Sequence, residues 1–155
     1  MVEPSPEEFK CLEATQRTAQ MHNLAFAHED GKMNFYVSSA GGDSSLIEPA
    51  SKTERILKVK TCKLDNFVLD NKIDRIKLLK LEAEGFEPEI LEGSVETLPK
   101  IEYIAIDGGP ERGVGGAETL SFAINFLCNR NFVIEKINIR GADGRALFRN
   151  KSYDN

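Results

Sequence analysis

The chain has 155 residues, 41% of them hydrophobic, and a formal net charge of −5. This length and apolar fraction suffice for one domain with a buried core, and we predict a single domain over residues 1–150 followed by a frayed tail over residues 151–155. Lysines and arginines are scattered rather than clustered, so the composition argues against nucleic acid as a partner.

The cysteines and the apolar segments bear on location. Cys11, Cys62 and Cys128 are odd in number and widely spaced, which is typical of a reducing compartment and gives no zinc-binding pattern. No apolar segment has the length of a membrane span, and the first residues are acidic and proline-rich rather than signal-like. We therefore predict a cytoplasmic protein that has no membrane partner.

The first predicted element is a helix near the N-terminus. Ser5, Pro6 and Glu8 form a capping box, and apolar residues at helical spacing extend the helix to about Gln20. Alternating or apolar runs then predict three strands, over residues 24–27, 32–38 and 55–61. The second and third of these are expected to pair. The long connection over residues 38–53 has the composition of a ligand-binding or disordered loop.

A short aliphatic run, Ile76–Leu81, predicts a buried strand. Charged residues crowd its C-terminal end, at Lys80, Glu82, Glu84 and Glu87. A second predicted strand, over residues 101–106, ends at Asp107, so two adjacent parallel strands would deliver carboxylates to one edge of the sheet. Ligands bind at that edge in open α/β sheets.

The remaining segments complete an alternation of strands and helices. Helices are predicted over residues 64–71, 88–98 and 118–129, and an antiparallel hairpin over residues 132–140 and 145–149. Gly93, inside a predicted helix, indicates close packing against a neighbour. The pattern predicts an α/β fold with a mostly parallel, Rossmann-like sheet, a C-terminal antiparallel hairpin and helices on both faces.

Five segments resemble, in chain order, the FkbM family of S-adenosylmethionine-dependent methyltransferases. They are residues 2–7, 35–37, 41–46, 80–87 and 107–113. The likeness covers nearly the whole chain, and its most specific part, residues 80–87, is similar to the family's K-x-D-x-E-G-x-E signature. The resemblance implies a class I methyltransferase fold, S-adenosylmethionine as cofactor, and O-methylation of a small hydroxylated acceptor such as a sugar or secondary metabolite.

The resemblance also implies roles for individual residues, none of them metal binding. Glu3 would hold the ribose hydroxyls of the cofactor, because a carboxylate accepts two hydroxyl hydrogen bonds. The residues beside the adenine would be Asn23, Leu24 and Ala25. The catalytic residues, next to the transferred methyl group, would be Lys80, Glu82 and Glu84. Apart from the resemblance, we predict that the acceptor is bound by Gly42, Asp43, Ser44, Asp107 and Arg112, with Arg112 suited to an anionic acceptor.

Two departures from the family pattern set further expectations. The signature aspartate is Glu82 here, one methylene longer, which displaces the carboxylate. The family also begins its domain with a strand and a glycine-containing turn upstream of the position of Glu3, and we expect this sheet to be N-terminally incomplete. The first strand would pair between the strands ending at Glu3 and Glu82, so two unpaired edges are expected.

Two other functions fit the same residues. Carboxylates at adjacent strand ends would suit a magnesium-dependent phosphoryl-transfer enzyme that uses Glu82, Glu84, Glu87 and Asp107. Alternatively, the chain would be a non-catalytic interaction module whose exposed sheet edges pair with other chains. A homo-oligomer formed through those edges is compatible with either enzyme.

The expected incompleteness predicts poor or no cofactor binding by these 155 residues alone. Calorimetric titration with S-adenosylhomocysteine is then expected to show no binding in the micromolar range. Micromolar binding by the isolated chain would contradict the expectation.

Overall fold

The computed structural model describes residues 1–16, 18–38, 43–50 and 52–154. The helices are α1 (Pro6–Thr15), α2 (Leu64–Asp70), α3 (Glu87–Glu92) and α4 (Leu120–Cys128). The strands are β1 (Ala25–Phe26), β2 (Gly31–Ser38), β3 (Thr53–Cys62), β4 (Ile76–Leu81), β5 (Ile101–Gly108), β6 (Phe132–Arg140) and β7 (Asp143–Asn150). Short 3₁₀ turns occupy Leu98–Lys100 and Lys151–Tyr153.

The strands form two sheets rather than one. A three-stranded sheet has the order β1-β3-β2, and a four-stranded sheet has the order β4-β5-β7-β6. Only β1 with β3 and β4 with β5 are parallel, so the α/β class is confirmed but the predicted mostly parallel sheet is replaced by mixed sheets. The physical reason is the connections: β6 returns to β7 through a tight turn, whereas a parallel neighbour needs a crossover such as the one containing α3.

Helix α4 packs on one face of the four-stranded sheet. Along β5 and β7, buried residues alternate with more exposed ones. Ile104, Ile106 and Phe148 lie on the buried face, where Leu120 of α4 packs against Gly144. The opposite face carries half-buried residues such as Tyr103, Ala105 and Leu147. The second face is therefore less buried than the first.

Strand β4 has the predicted bounds but lies at the end of its sheet. Leu81 is buried, whereas the Leu78 side chain is 54% exposed, so the strand is not buried throughout. An aliphatic run does not distinguish a central strand from an edge strand, because only the tertiary arrangement decides which neighbours are present. The parallel pairing of β4 with β5 is confirmed, and it places Glu82 and Asp107 at the same end of the sheet.

Other predicted pairings are confirmed. Strands β2 and β3 pair antiparallel, with Phe35 opposite Leu57, and β6 and β7 form the expected hairpin. Gly93 packs directly against the carbonyl of Ala27, and a Cβ at this position would overlap that oxygen. The close approach inferred from this glycine is therefore real.

Several helices are shorter than predicted. Helix α1 ends at Thr15 instead of about Gln20, because Gln16 turns to extended backbone while its N–H still bonds Leu12. Helix α3 ends at Glu92, before Gly93, and a separate 3₁₀ turn covers the end of the predicted segment. Among the described residues, no helix combines the length and apolar character that crossing a membrane requires.

The C-terminal residues that were predicted to fray are hydrogen-bonded. Lys151–Tyr153 form a 3₁₀ turn capped by the side chain of Asn150. The Tyr153 hydroxyl donates to the carbonyl of Pro99 at 3.3 Å, and the Lys151 N–H donates to Asn131 at 2.9 Å. These contacts come from distant parts of the chain, so local composition did not reveal them.

One buried hydroxyl in the three-stranded sheet provides a stability test. Thr61, in the central strand β3, is 1% exposed, and its Oγ1 has no hydrogen-bond partner among the described residues. Leaving a buried hydroxyl unpaired costs free energy. We expect Thr61→Val to increase the free energy of unfolding by about 1 kcal/mol in urea denaturation. Thr61→Ser, which keeps the hydroxyl and loses the methyl group, should lower it by a similar amount, and a destabilised valine variant would contradict this prediction.

Candidate active site

A large cavity lies between β4 and the N-terminal segment. Its volume is about 900 Å³, and its walls include Glu3 on one side and Glu82 and Glu84 on the other. Phe35, Phe67 and other apolar side chains complete the lining. The structure therefore brings together two groups that the sequence separates by about 80 residues, the predicted ribose-binding acid and the predicted catalytic loop.

Glu3 is placed by its neighbours just before α1. Val2 bridges His22 in parallel fashion, and the Glu3 N–H donates to the His22 carbonyl at 3.1 Å. One carboxylate oxygen of Glu3 accepts the Ser5 N–H at 2.7 Å. Burial raises the pKa of the Glu3 carboxyl above its usual value, although the Ser5 hydrogen bond acts in the opposite direction.

The three residues predicted beside the adenine differ in what they offer the cavity. Ala25 lines the cavity wall. Leu24 is 7% exposed and belongs to the buried core. The Asn23 amide donates to the carbonyls of Glu3 and Pro4, at 2.9 and 3.1 Å, so it fixes the backbone that carries Glu3. Contact of these residues with a cofactor stays a prediction.

The signature segment after β4 presents its charges in two different ways. Lys80 forms an ion pair with Glu82, as expected for a lysine in an apolar strand, and both side chains are substantially exposed. Glu84 lies further into the structure and has a φ of +49°. A residue with a side chain pays about 1 kcal/mol or more for this left-handed backbone, so the surrounding contacts must hold it there.

Glu84 has the most perturbed carboxyl of the site. Its pKa is raised to about 7, first because burial disfavours the charged form and then because other carboxylates surround it. The neighbouring acids that contribute are Glu111, Asp43, Glu87 and Asp107. A carboxyl with this pKa is well suited to accept a proton near neutral pH.

A second, smaller cavity of about 440 Å³ opens on the acidic side of Glu84 and is called here the acidic cavity. Its walls include the carboxylates of Asp43, Glu82, Glu84, Asp107, Glu111 and Asp143. Burial and the nearby acids also raise the pKa of Glu111. Asp43, Glu82 and Glu84 line both cavities, so they stand at the junction between the two.

The predicted acceptor-binding residues are distributed around these cavities. Asp43 lines both, and the Ser44 hydroxyl accepts the Ser38 N–H at 3.2 Å. Asp107 lines the acidic cavity and accepts from Nε of Arg145 at 2.7 Å. Gly42 lies outside the described residues. Whether these residues bind an acceptor stays a prediction.

Arg112, predicted to bind an anionic acceptor, contacts the protein itself. Its guanidinium pairs with the Glu89 carboxylate through two hydrogen bonds, at 2.8 and 2.6 Å. Nη1 also donates to the Gly85 carbonyl at 2.8 Å. This pairing with Glu89 raises the pKa of Arg112 further, and the residue joins the glycine-rich loop before α4 to the signature segment.

Three residues make contacts around the signature segment that the sequence did not predict. Glu87 was interpreted as a helix-terminus acid or metal ligand, yet it is fully buried and accepts from the Ala83 N–H and the Thr119 hydroxyl, at 2.8 and 3.0 Å. The Ser45 hydroxyl donates to the Ala83 carbonyl at 3.3 Å. Thr119 and Ser45 carry no charge, and although Ser45 lies in one of the five matching segments, only the fold identifies the contacts that these two residues make.

The architecture and these contacts agree with the motifs noted in the sequence. The methyltransferase FkbM domain matches residues 1–134 of the chain. The protein belongs to the FkbM methyltransferase family. The resemblance inferred from the signature segment is thereby confirmed.

One curated relative is an O-methyltransferase. The chain is similar to the 2-O-methyltransferase NoeI of Sinorhizobium fredii (strain NBRC 101917 / NGR234), with 22% identity over 146 residues. The match covers 84% of this chain and 59% of the relative, so the chain spans little more than half of that protein. No solved structure matches the chain significantly.

The magnesium alternative gains no support from the geometry. Both carboxylate oxygens of Glu87 are used by protein donors. Within the described ranges, no group of three or more histidine, cysteine, aspartate or glutamate side chains is arranged to hold a metal ion.

The pKa of Glu84 predicts a pH-dependent effect on stability. Between the usual value of 4.5 and about 7, the folded state binds the Glu84 proton more tightly than the unfolded state, so the wild type loses stability as the pH rises. Glu84→Gln removes this loss. We expect it to increase the free energy of unfolding at pH 8 by about 1–2 kcal/mol, allowing for solvent screening, with little effect at pH 5.

Urea denaturation at the two pH values measures this difference. Glu13→Gln, on the exposed surface of α1, is the matched control, because it makes the same chemical change away from the cavities. An equal effect of Glu84→Gln at both pH values would contradict the assigned pKa.

Proposed function

We propose that the chain carries out O-methyl transfer from S-adenosylmethionine to a small hydroxylated acceptor, such as a sugar or secondary metabolite. The observation that carries the proposal is the junction at Glu84: the large cavity with Glu3 on its wall and the acidic cavity share Glu82 and Glu84. Membership of the family and the similarity to an O-methyltransferase support it.

The large cavity fits the proposed cofactor. Its volume of about 900 Å³ lies in the range of small-molecule sites. One oxygen of Glu3 accepts from Ser5, while the carboxylate as a whole still lines the cavity and can accept from ribose hydroxyls. Ala25 and Phe26 also line this cavity, and the flat adenine base of the cofactor would pack against them. S-adenosylmethionine, when bound, supplies an electrophilic methyl group.

Glu84 is the proposed proton acceptor. A hydroxyl that attacks a methyl group must lose its proton, and a carboxyl with a pKa of about 7 can take it without binding it irreversibly. Lys80 is less suitable because its side chain is exposed and already paired with Glu82. The acceptor hydroxyl would enter from the acidic cavity, whose carboxylates accept hydrogen bonds from a polyhydroxylated molecule.

The number of acids around this cavity favours neutral or cationic acceptors over anionic ones. Six carboxylates line it against the two guanidinium groups of Arg140 and Arg145. Bringing a phosphate or carboxylate close to this excess of negative charge would be unfavourable. A sugar without acidic groups is accordingly the preferred acceptor in this proposal.

Binding of S-adenosylhomocysteine tests the cofactor half of the proposal. We expect S-adenosylhomocysteine to shift the amide signals of Glu3, Ala25 and Glu84 in two-dimensional NMR spectra. Such spectra detect even millimolar affinity. Glu3→Gln should weaken the binding at least about tenfold, because the amide replaces one hydroxyl acceptor with a donor. Glu13→Gln is again the control.

Transfer of radiolabelled methyl groups to a panel of neutral sugars, phosphorylated sugars and phenols tests the other half. Incorporation into a hydroxylated acceptor, reduced about 10²-fold by Glu84→Gln, is the expected result. Absence of both amide shifts and methyl incorporation would overturn the proposed function and favour a non-catalytic interaction module.

A further inference from the structure

Ala83 and Gly85, the residues before and after Glu84, are held through their backbone groups by side chains from three different parts of the chain. The Ala83 N–H donates to Glu87 at 2.8 Å. The Ala83 carbonyl accepts from the Ser45 hydroxyl at 3.3 Å, and the Gly85 carbonyl accepts from Arg112 at 2.8 Å. We infer that Ser45, Glu87 and Arg112 are positioning residues that clamp Glu84 at the junction of the two cavities.

Two glutamates of α3 anchor this clamp through hydrogen bonds. Glu87 is fully buried on α3, and Thr119, 1% exposed, donates to its second oxygen at 3.0 Å. Arg112 is fixed by two hydrogen bonds to Glu89, also on α3. Helix α3 thus connects the signature segment to the loop before α4 through two separate acids, because Glu87 accepts from Ala83 while Glu89 pairs with the Arg112 that donates to Gly85.

The backbone of the clamp leaves little room for other conformations. A Cβ at Gly85 would lie 2.6 Å from the Cα of Arg112, so only glycine permits the two segments to approach. Glu84 itself has a φ of +49°, a conformation that an unrestrained glutamate rarely adopts. The hydrogen bonds to Ala83 and Gly85 offset this cost, and they point the carboxyl toward the cavities rather than into bulk water.

The clamp keeps Glu84 close to other acids. The charged groups that face Glu84 are Asp43, Glu87, Asp107 and Glu111, and each comes from a segment that the clamp joins or adjoins. Loosening the clamp would let Glu84 move into water and away from these acids. That the clamp positions Glu84 for catalysis rests on the proposed methyl transfer. The effect of the clamp on the protonation of Glu84 does not depend on that proposal.

The test measures the protonation of Glu84 directly, by the carboxyl ¹³C signals of the folded protein as a function of pH. Glu84→Gln assigns the signal, whose midpoint in the wild type is expected near 7. The variants Ser45→Ala, Thr119→Val and Arg112→Lys each disrupt side-chain hydrogen bonds of the clamp or its anchor and leave every formal charge in place. We expect each to lower the midpoint by at least about half a pH unit, since exposure to water favours the carboxylate.

Matched controls separate positioning from general stability. Ser94 is fully buried, and its hydroxyl donates to the Leu91 carbonyl at 2.7 Å, so Ser94→Ala removes the same kind of contact outside the clamp. It should lower stability and leave the Glu84 midpoint unchanged. Thr119→Ser, which keeps the hydroxyl, should restore the midpoint that Thr119→Val loses.

The outcomes distinguish the clamp from the proposed function. Wild-type midpoints in both Ser45→Ala and Arg112→Lys, the milder substitutions, would overturn the clamp even if Thr119→Val failed to fold. Shifted midpoints combined with full methyl transfer by Glu84→Gln would retain the clamp and reject Glu84 as the proton acceptor. Shifted midpoints together with impaired transfer in the clamp variants, with KM nearly unchanged, would support both.

Discussion

The buried carboxylate of Glu87 is the contact on which the site depends. A fully buried acid is tolerated only when hydrogen bonds replace the water it has lost, and the Ala83 N–H and the Thr119 hydroxyl supply them. The same bonds connect the end of β4 to the start of α4, since Thr119 directly precedes that helix. Glu87 therefore joins the signature segment to the glycine-rich loop that follows β5.

The balance between burial and pairing separates the acids of the site into two groups. Glu82 is paired with an exposed lysine and stands in contact with water. Glu84 has other acids as its neighbours, so desolvation and repulsion act in the same direction and raise its pKa to about 7. Two carboxylates only two residues apart thus differ in their surroundings, because Glu82 is exposed beside a lysine whereas Glu84 is partly buried among other acids.

The arrangement of the sheets explains why the site is open. The three-stranded and four-stranded sheets are not hydrogen-bonded to each other within the described residues, and the large cavity lies between β4 and the N-terminal segment. Residues from both sheets nevertheless share one hydrophobic core, including Phe35 from β2 and Ile104 from β5. Packing of side chains rather than backbone pairing holds the two walls of the cavity together.

The sequence by itself determined the family, the order of strands and helices, and the two parallel strand ends that deliver carboxylates to one edge. These follow from local patterns: the periodicity around residues 76–81 and 101–106, and the spacing of charges in the signature segment. The tertiary structure alone decided that Leu78 of β4 is exposed, that Arg112 pairs with Glu89, and that Ser45 and Thr119 contact the segment around Glu84. Burial and hydrogen bonding depend on neighbours distant in the chain, which no local pattern specifies.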